Sequence, residues 1–461
     1  MGKKLFIETY GCQMNVADSE VVVAILQKQN YEITDSMEAA DLILVNTCSI
    51  RENAEQRVRA RLAVFRKYKE KRPEIKIGVI GCMAERLKEQ LLREEKSIDL
   101  VAGPDAYRTL PGLLDEVESG LKGVNTLLSI EETYADINPV RLDKNHVSAF
   151  VSIMRGCDNF CTYCVVPFTR GRERSRNPET IIDETKVLFR QGYREVTLLG
   201  QNVNSYSWKA NGEDLTFDSL LDRVAEIDPG LRVRFATSHP KDMSDNLLIT
   251  MSRHPNICRS IHLPVQSGSS KILLRMNRKY DRDGYMDRIR AIRNYLSEAT
   301  VSTDIIAGFP GETEEDHHQT LSLMKWAQFD FAFMFRYSER PGTVAEKRFP
   351  DDVPDEVKTR RLNEIIALQN RLSLQSKKSD IGKVYEVLVE GASKKSDDYF
   401  FGRTSQNKVV VFPKGLNRPG DYIHVYIEDC TSATLLGKQV HEPIDFSKSF
   451  KYRSAKQIPN E

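Results

Sequence analysis

The sequence has no long apolar run, no secretory signal and no strong net charge. No stretch approaches the roughly 20 apolar residues of a membrane helix, and the opening MGKKLFIETYGC lacks the apolar segment of a signal peptide. We therefore expect a cytosolic protein with no membrane partner. The net charge of +1 excludes a chain-wide attraction to polyanions, so any basic nucleic-acid site must be local. H-x3-H, H-E-x2-H and G-x4-G-K-[ST] spacings are absent, which leaves zinc and nucleotide hydrolysis without motif support.

The composition is that of a large folded protein with several cysteines. The chain has 461 residues, of which 40% are hydrophobic and 29% charged, so we expect two to four folded domains rather than a disordered chain. It contains eight cysteines. Because the cytosol keeps thiols reduced, these cysteines indicate metal binding or catalysis rather than a disulfide framework.

Strands and helices alternate along the first 120 residues. Short apolar, β-rich runs predict strands at 5–10, 41–46, 75–81 and 97–103. Helix-like stretches, such as 19–30 and 54–71, separate them. This alternation predicts an α/β domain with a doubly wound parallel sheet over residues 1–120.

Three cysteines follow three of these predicted strands. Cys12, Cys48 and Cys82 each stand one or two residues beyond a strand end. Open α/β sheets bind ligands beyond the carboxyl ends of their strands, where these thiols would converge. The alternative is three unrelated buried thiols, which would have to share one topological position by chance. The pattern favours a common metal site.

A polar, turn-rich segment at 121–146 is interpreted as a linker, and the alternation resumes in a core at 147–375. The strands predicted for this core lie at 149–156, 195–202, 232–240, 260–269, 300–313 and 329–338. Six β/α units are fewer than the eight of a complete barrel, so we expect a partial (β/α)6 barrel. Its reactive end would be the carboxyl end of the strands.

Three further cysteines follow the first strand of this core. Cys157, Cys161 and Cys164 have the spacing C-x3-C-x2-C, whereas a structural zinc site or an ordinary iron–sulfur cluster uses four protein ligands. Either a distant residue supplies the fourth ligand or one position is left open. Cys258 and Cys430 have no neighbouring cysteine and are interpreted as incidental thiols. Three thiolates on one loop suit a cubane cluster in which one iron has no protein ligand.

The last part of the chain changes to an all-β pattern. A charged helical connector at 353–375 is followed by strand-like runs about 8–12 residues apart. This spacing predicts a small all-β barrel over residues 376–441, with a tail at 442–461.

The pattern C-x3-C-x-aromatic-C, in which Tyr163 precedes the third cysteine, resembles the signature of the radical S-adenosylmethionine enzymes. The resemblance implies that a [4Fe-4S] cluster on Cys157, Cys161 and Cys164 binds S-adenosylmethionine at its open iron. One electron from the cluster would cleave it to methionine and a 5′-deoxyadenosyl radical. Candidate residues for binding S-adenosylmethionine are Tyr163 and the strand-end residues Gly200, Gln201, Ser238, Gln266 and Gly308.

Nearly the whole chain resembles the methylthiotransferase family, which joins three N-terminal cysteines to a radical core and a TRAM RNA-binding barrel. The resemblance implies a second, auxiliary [4Fe-4S] cluster on Cys12, Cys48 and Cys82 that carries the sulfur to be methylated and inserted. Segment 153–176 is most similar to the branch that methylthiolates C2 of N6-isopentenyladenosine next to the anticodon of tRNA. Branches that act on threonylcarbamoyl-adenosine or on a ribosomal-protein aspartate are the alternatives.

Basic residues provide candidates for RNA binding. Four arginines follow the cluster motif, namely Arg170, Arg172, Arg174 and Arg176. Their planar donor groups suit backbone phosphates, and a solvated or ion-paired loop is the alternative. Segment 376–461 has 14 lysines and arginines against 11 aspartates and glutamates, a weak preference for a polyanion. In it, Phe400, Phe401 and Arg403 either contact RNA or belong to the barrel core.

We expect the partners to be a tRNA anticodon stem-loop and an electron donor protein such as a flavodoxin, and we expect a monomer. An adenosine in a single-stranded loop can be inserted deeply between two clusters, unlike a base in a duplex. The alternative from another class is a non-catalytic iron–sulfur or zinc RNA-binding protein. Such a protein would not produce deoxyadenosine from S-adenosylmethionine.

Overall fold

A computed structural model describes residues 2–49, 52–143, 145–210 and 212–440 of the chain. Over these ranges a parallel α/β unit, a partial barrel and a closed β barrel follow one another, so the fold class predicted from the sequence is confirmed. None of the described helices has the length and apolarity that a bilayer crossing requires. The predicted tail at 442–461 lies outside the described residues.

The N-terminal unit is a six-stranded parallel sheet covered on both faces by helices. Its elements are β1 (Lys3–Tyr10), α1 (Gln13–Gln27), β2 (Tyr31–Ile33), β3 (Leu42–Thr47), α2 (Glu52–Lys71), β4 (Lys76–Gly81), α3 (Cys82–Leu87), α4 (Glu89–Glu94), β5 (Leu100–Ala102), α5 (Leu110–Glu118) and β6 (Gly123–Asn125). The strand order is β2-β1-β3-β4-β5-β6. Helices α1 and α5 pack on one face and α2, α3 and α4 on the other, and β3 and β4 are mostly apolar because both of their faces are buried.

The structure adds two strands that the sequence analysis missed, β2 and β6, each of three residues. β6 lies inside the segment interpreted as a linker. Tyr134 and Ile137 of that segment are also buried in the core beneath α1 and α5. The first half of the predicted linker therefore belongs to the N-terminal unit, because a few buried residues anchor an otherwise polar stretch.

The central unit contains the six expected parallel strands with helices between them. Its elements are β7 (Ser148–Ser152), β8 (Met154–Arg155), α6 (Val166–Thr169), β9 (Arg174–Ser175), α7 (Pro178–Arg190), β10 (Glu195–Leu199), β11 (Ser207–Ala210), β12 (Glu213–Thr216), α8 (Phe217–Ala225), β13 (Arg232–Ala236), α9 (Asp245–Arg253), β14 (Ser260–His262), α10 (Ser270–Arg275), α11 (Arg282–Tyr295), β15 (Thr300–Ala307), α12 (Glu314–Ala327), β16 (Phe331–Arg336), α13 (Val344–Arg348) and α14 (Asp355–Lys378). The principal strands form two three-stranded sheets, β13-β10-β7 and β14-β15-β16. A bridge between Val233 and Ile257 connects them, as expected for an open half of a barrel.

Alternation along these strands separates an outer face from an inner face. Val151 on β7, Val196 on β10 and Val301 on β15 are buried against the surrounding helices in the largest apolar core. Ile365 of α14 belongs to the same core, so the predicted connector helix is part of the helical layer. The residues between these positions therefore line the interior of the partial barrel.

The C-terminal unit is a closed five-stranded barrel that docks on the amino ends of the central strands. It comprises β17 (Val384–Ser393), β18 (Ser396–Thr404), β19 (Val409–Pro413), β20 (Tyr422–Cys430) and β21 (Leu435–Val440), ordered β17-β18-β19-β21-β20. The Arg232 guanidinium donates to the Arg403 carbonyl oxygen at 2.6 Å, and that of Arg234 to the Thr404 carbonyl oxygen at 2.7 Å. These bonds leave the carboxyl ends of the strands clear.

Candidate functional site

Three of the predicted ligands meet where the strand order of the N-terminal sheet reverses. Cys12 stands between β1 and α1, Cys48 follows β3, and Cys82 is the first residue of α3. β1 and β3 are neighbours whose connections leave in opposite directions, and such a switch point opens a crevice at the carboxyl edge of the sheet. The convergence that the sequence predicted is therefore a property of the topology.

Close backbone contacts and two asparagines hold these loops together. A Cβ on Gly11 would lie 2.9 Å from the Cβ of Cys48, so the missing side chain lets the first two loops approach. The Asn15 side-chain amide donates to Asn46 Oδ1 at 2.9 Å, and its own Oδ1 accepts from the Cys12 backbone N–H at 3.2 Å. Sequence reasoning missed both asparagines, since their pairing depends on a contact 31 residues apart along the chain.

The three thiols share one electrostatic environment. Burial raises the pKa of the Cys82 thiol to about 12, Arg170 opposes this, and the neighbouring Cys48 and Cys12 reinforce it. In the described ranges, no three His, Cys, Asp or Glu side chains form a ready site for a single metal ion. A cubane cluster binds each thiolate through a different iron and so accepts ligands that are farther apart. The donor set fits such a cluster, whose binding would displace the thiol protons.

The second triad lies on the loop between β8 and α6. The Cys157 N–H donates to the Gly171 carbonyl oxygen at 3.1 Å, and the Cys164 N–H to the Cys161 carbonyl oxygen at 3.0 Å. A Cβ on Gly156, which has a φ of 78°, would lie 1.9 Å from the Arg172 carbonyl oxygen, so this tight return of the loop requires glycine. Burial raises the pKa of Cys164 to about 12, and the charge of Cys161 beside it adds to the effect.

Arg278 is the cation of this triad and was not found from the sequence. Its guanidinium donates to Cys161 Sγ at 3.2 Å, to Tyr163 Oη at 3.4 Å and to the Pro264 carbonyl oxygen at 3.1 Å. Tyr163 also packs edge-on against Phe309, with ring centroids 6.4 Å apart. The aromatic residue of the motif therefore positions the arginine beside the cysteines.

Unpaired polar atoms are concentrated at the carboxyl ends of β10 and β13. Gln201 Oε1, Asn202 Oδ1, Ser238 Oγ and His239 Nε2 are buried and have no hydrogen-bond partner among the described residues. Buried polar groups are normally paired, so this cradle is suited to a polar ligand. Burial, together with Arg278 and Lys241, lowers the pKa of His239 to about 2, so its imidazole is neutral. Gln201 and Ser238 were predicted from their positions, whereas Asn202 and His239 were missed.

The other predicted strand-end residues have structural explanations. A Cβ on Gly200 would lie 2.3 Å from Met154 Cγ, and one on Gly308 would lie 2.3 Å from Lys358 Cγ. Lys358 of α14 therefore occupies the space beside Gly308, which explains a glycine at this position without a ligand. Gln266, with a φ of 70°, joins β14 to β15 through its backbone, donating to the Asp304 carbonyl oxygen at 2.8 Å.

The structure corrects the interpretation of the arginine-rich loop. Three of its four arginines are buried in ion pairs, Arg170 with Asp18, Arg174 with Asp105 and Arg176 with Glu184. Each of these guanidiniums donates to a buried carboxylate, which favours the ion-paired alternative over phosphate binding. The exception is Arg172, whose side chain is 66% exposed although it pairs with Asp158 at 2.8 Å.

These ion pairs join the two cysteine triads across a domain interface. Asp18 of α1 accepts from Arg155 and from Arg170, each at 2.8 Å. The Nε of Arg170 also lies 3.2 Å from Cys82 Sγ. Arg170 stands six residues after Cys164 in the chain, so one side chain connects the loop of the second triad to a cysteine of the first.

For the aromatic residues of the C-terminal barrel, the choice between RNA contact and barrel core is decided only in part. Phe400 is buried in the barrel core, as the structural alternative proposed, and Phe401 is half-buried. The Arg403 side chain lies 3.4 Å from Glu390. Among the described residues, Tyr399 and Tyr426 are aromatic side chains of this barrel with large exposed surfaces. The Lys438 ammonium lies 6.0 Å from the Tyr426 ring centroid, so this face offers both an aromatic and a cationic group.

Three family models match the three units in order. They are described as uncharacterized protein family UPF0004 over residues 4–103, the radical SAM superfamily over 151–324 and the TRAM domain over 378–440. A solved structure of the radical S-adenosylmethionine methyltransferase TsrM from Kitasatospora setae superimposes with a TM-score of 0.55 at 13% identity, covering 75% of this chain and 77% of that chain. The cobalamin-dependent radical enzyme OxsB gives a TM-score of 0.53 at 13% identity, covering 80% of this chain and 56% of that one. These two likenesses concern the fold alone.

Similarity to whole sequences is much higher. A tRNA-2-methylthio-N(6)-dimethylallyladenosine synthase of Bacteroides fragilis is 58% identical over 439 residues, covering 95% of this chain and 96% of that protein. Proteins of the same name from Amoebophilus asiaticus and Porphyromonas gingivalis are 58% and 55% identical, covering 95% and 96% of this chain and 92% and 96% of their own lengths. The chain belongs to the family of tRNA-2-methylthio-N(6)-dimethylallyladenosine synthases, which are radical S-adenosylmethionine enzymes with a TRAM domain.

Proposed function

We propose that the protein converts N6-dimethylallyladenosine (isopentenyladenosine) next to the anticodon of tRNA to its 2-methylthio derivative, using two [4Fe-4S] clusters and S-adenosylmethionine. The observation that carries this proposal is the pair of cysteine triads on either side of one buried interface, linked by Arg170. Relatives that share up to 58% of the sequence have the corresponding name. A sulfur inserted from one site into a carbon activated at the other requires the two sites to be neighbours.

The radical-generating site is assigned to Cys157, Cys161 and Cys164. When bound, the cluster and S-adenosylmethionine supply the 5′-deoxyadenosyl radical and the methyl group, while the protein supplies binding and orientation. The unpaired atoms of Gln201, Ser238 and the other cradle residues are suited to the amino, carboxylate and hydroxyl groups of S-adenosylmethionine. Arg278 keeps a positive charge beside Cys161, and the burial of the cradle excludes water that would quench a radical.

The sulfur-carrying site is assigned to Cys12, Cys48 and Cys82. Three ligands leave one iron of a cubane without a protein donor, and that position would accept an external sulfur. Arg170 beside Cys82 favours negative charge on this sulfur, because its guanidinium is buried and always protonated.

The RNA partner is assigned to the anticodon stem-loop, with the target adenosine turned out of the loop. The TRAM barrel and the exposed Arg172 near the second triad supply contacts outside the cavity. We also propose an electron donor protein such as a flavodoxin, because the reaction is reductive. A monomeric state and a cytoplasmic location complete the proposal.

The test is nucleoside mass spectrometry after anaerobic reconstitution with reductant, S-adenosylmethionine and tRNA that contains isopentenyladenosine without the methylthio group. A methylthio adduct on that nucleoside is the expected result. Deoxyadenosine without the adduct would contradict the substrate and direct the search to threonylcarbamoyl-adenosine or a ribosomal-protein aspartate. If neither product forms although both sites contain iron, the protein is a non-catalytic RNA-binding protein.

A further inference from the structure

The first three strands of the partial barrel have their inner face covered by the N-terminal unit. Met14 and Ala17 of α1 pack against Leu199 on β10, with Phe150 of β7 and Ala236 of β13 at the edge of the same contact. The N-terminal unit therefore packs against the inner face at this side of the barrel.

The floor of the barrel is closed by a loop of the C-terminal unit. The Arg259 N–H donates to Ser405 Oγ at 2.9 Å, and the Thr300 hydroxyl donates to the Gln406 carbonyl oxygen at 2.7 Å. Arg234 holds the preceding carbonyl, that of Thr404. A molecule that enters the interior therefore comes from the side or from the carboxyl ends of the strands.

The inner face of the last strand carries an exposed row of phenylalanines. Phe331, Phe333 and Phe335 of β16 are 48%, 42% and 39% exposed, and we call them the aromatic wall. They are in register with Ser302, Asp304 and Ile306 of β15 and therefore share the inner face with those residues. The intervening Ala332 is buried in the outer core, which confirms the assignment of faces.

The rings of the aromatic wall contact one another and a neighbouring histidine, and the wall continues toward the carboxyl end of β16. The rings of Phe331 and Phe333 meet edge to face with centroids 4.9 Å apart, and the His262 ring lies edge-on to Phe333 at 5.8 Å. Phe335 is level with Ile306, whose N–H donates to the carbonyl oxygen of Gln266 at the strand end. Exposed apolar side chains that are grouped on one strand face, rather than scattered singly, indicate a binding surface.

We propose that the aromatic wall receives the isopentenyl-adenine base, with Phe331, Phe333 and Phe335 contacting the purine and its branched alkenyl group. This inference rests on the proposed function and names the residues that select the prenylated base. Aromatic rings stack on a purine face and remove the five-carbon chain from water. A threonylcarbamoyl group would place a carboxylate against phenylalanine, which is unfavourable unless a cation pairs with it. The wall therefore favours an adenosine with an isopentenyl group over one with a threonylcarbamoyl group.

The experiment compares the affinity of two fluorescent anticodon stem-loops that differ only in the isopentenyl group of the target adenosine. Binding is measured by anisotropy with reconstituted wild-type protein and with Phe331→Ala, Phe333→Ala and Phe335→Ala. The wild type is expected to bind the isopentenylated loop more tightly than the unmodified one. Each wall variant is expected to lower this affinity ratio about tenfold. Tyr295→Ala removes an aromatic residue of similar exposure from the helical layer and should leave the ratio unchanged.

The outcomes separate this inference from the proposed function. If the wild type forms the methylthio product but the wall variants keep the wild-type affinity ratio, the inference is wrong and the function stands. If the variants instead shift the molar mass or the unfolding temperature while the ratio is unchanged, the wall is covered by a second copy or by other parts of the chain, which also overturns it. Failure of the wild type to form product contradicts the function itself.

Discussion

Asp18 joins the N-terminal unit to the central unit through a buried carboxylate, so a substitution there tests how these units are held together. Its carboxylate is 1% exposed and accepts hydrogen bonds from Arg155 and Arg170. Burial alone would raise its pKa, but the two guanidiniums outweigh burial and hold the pKa below its ordinary value. In the wild type, this contribution to stability is present above about pH 4 and is lost as the pH falls through the depressed pKa.

Asp18→Asn leaves two buried cations with one fewer counter-charge. Arg155 keeps Asp105 at 3.5 Å, whereas the Arg170 guanidinium keeps, among the described residues, a hydrogen bond to the thiol of Cys82 and no carboxylate partner. Removal of one partner from a buried pair costs about 3–5 kcal/mol, a substantial part of the 5–15 kcal/mol that holds a domain folded. We expect the unfolding temperature to fall by roughly 10 °C.

The assay combines thermal unfolding of the reconstituted protein with the yield of methylthio product per deoxyadenosine. Because the interface links the two triads, Asp18→Asn should lower this yield more than it lowers the production of deoxyadenosine. Asp287→Asn, which breaks an exposed ion pair with Arg290, is the matched control and should cost less than about 1 kcal/mol. The double variant Asp18→Asn with Arg170→Met removes both charges and should be more stable than Asp18→Asn alone. An Asp18→Asn protein with wild-type stability and coupling would refute the reasoning.

Three further predictions concern other parts of the site. Cys161→Ala should abolish deoxyadenosine production, whereas Cys48→Ala should retain it and lose sulfur insertion; residual methylthiolation by Cys48→Ala would exclude an auxiliary-cluster role for that residue. Glu85 is buried, and burial raises its pKa to about 7, so the stability of the wild type should fall as the pH rises from about 4.5 to 7. Glu85→Gln should therefore stabilise the protein above pH 7 by at most about 3 kcal/mol. Equal effects of this substitution on chemical unfolding at pH 5 and pH 8 would contradict the prediction. Arg172→Glu should weaken binding of any stem-loop and lower the salt slope of its affinity by about one, and an unchanged slope would remove this residue from the RNA interface.

The strands and the cysteines were predictable because their signals are local. Buried parallel strands such as β3 and β4 contain runs of apolar residues, and the loop after each strand of an open sheet lies at the ligand edge. Cys48 and Cys82 could therefore be predicted to share one site without knowledge of any interatomic distance. β2 (YEI) and β6 (GVN) have three residues each and lack the longer apolar run that revealed the equally short β5 in SIDLVAG.

The roles of the arginines were not predictable because their partners are remote in sequence. Arg170 lies 152 residues from Asp18, and Arg174 lies 69 residues from Asp105. A basic run next to a metal motif indicates phosphate binding only when no carboxylate faces it, and that condition depends on the docking of two domains. The unpaired atoms of Asn202 and His239 were hidden for the same reason, since hydrogen bonding is a property of the folded neighbourhood.

The buried ion pairs of the interface serve geometry more than stability. A buried pair is often no more stabilising than apolar side chains of equal volume, because both charges lose their hydration. Asp18 instead fixes the relative position of the two units. It binds the guanidiniums of Arg155 and Arg170, each at 2.8 Å, and so limits sliding of α1 against the segment that carries them. Arg170 transmits this constraint to Cys82. In the proposed reaction, sulfur moves from one triad to a base held at the other, and this transfer would require the separation that the ion pairs of the interface maintain.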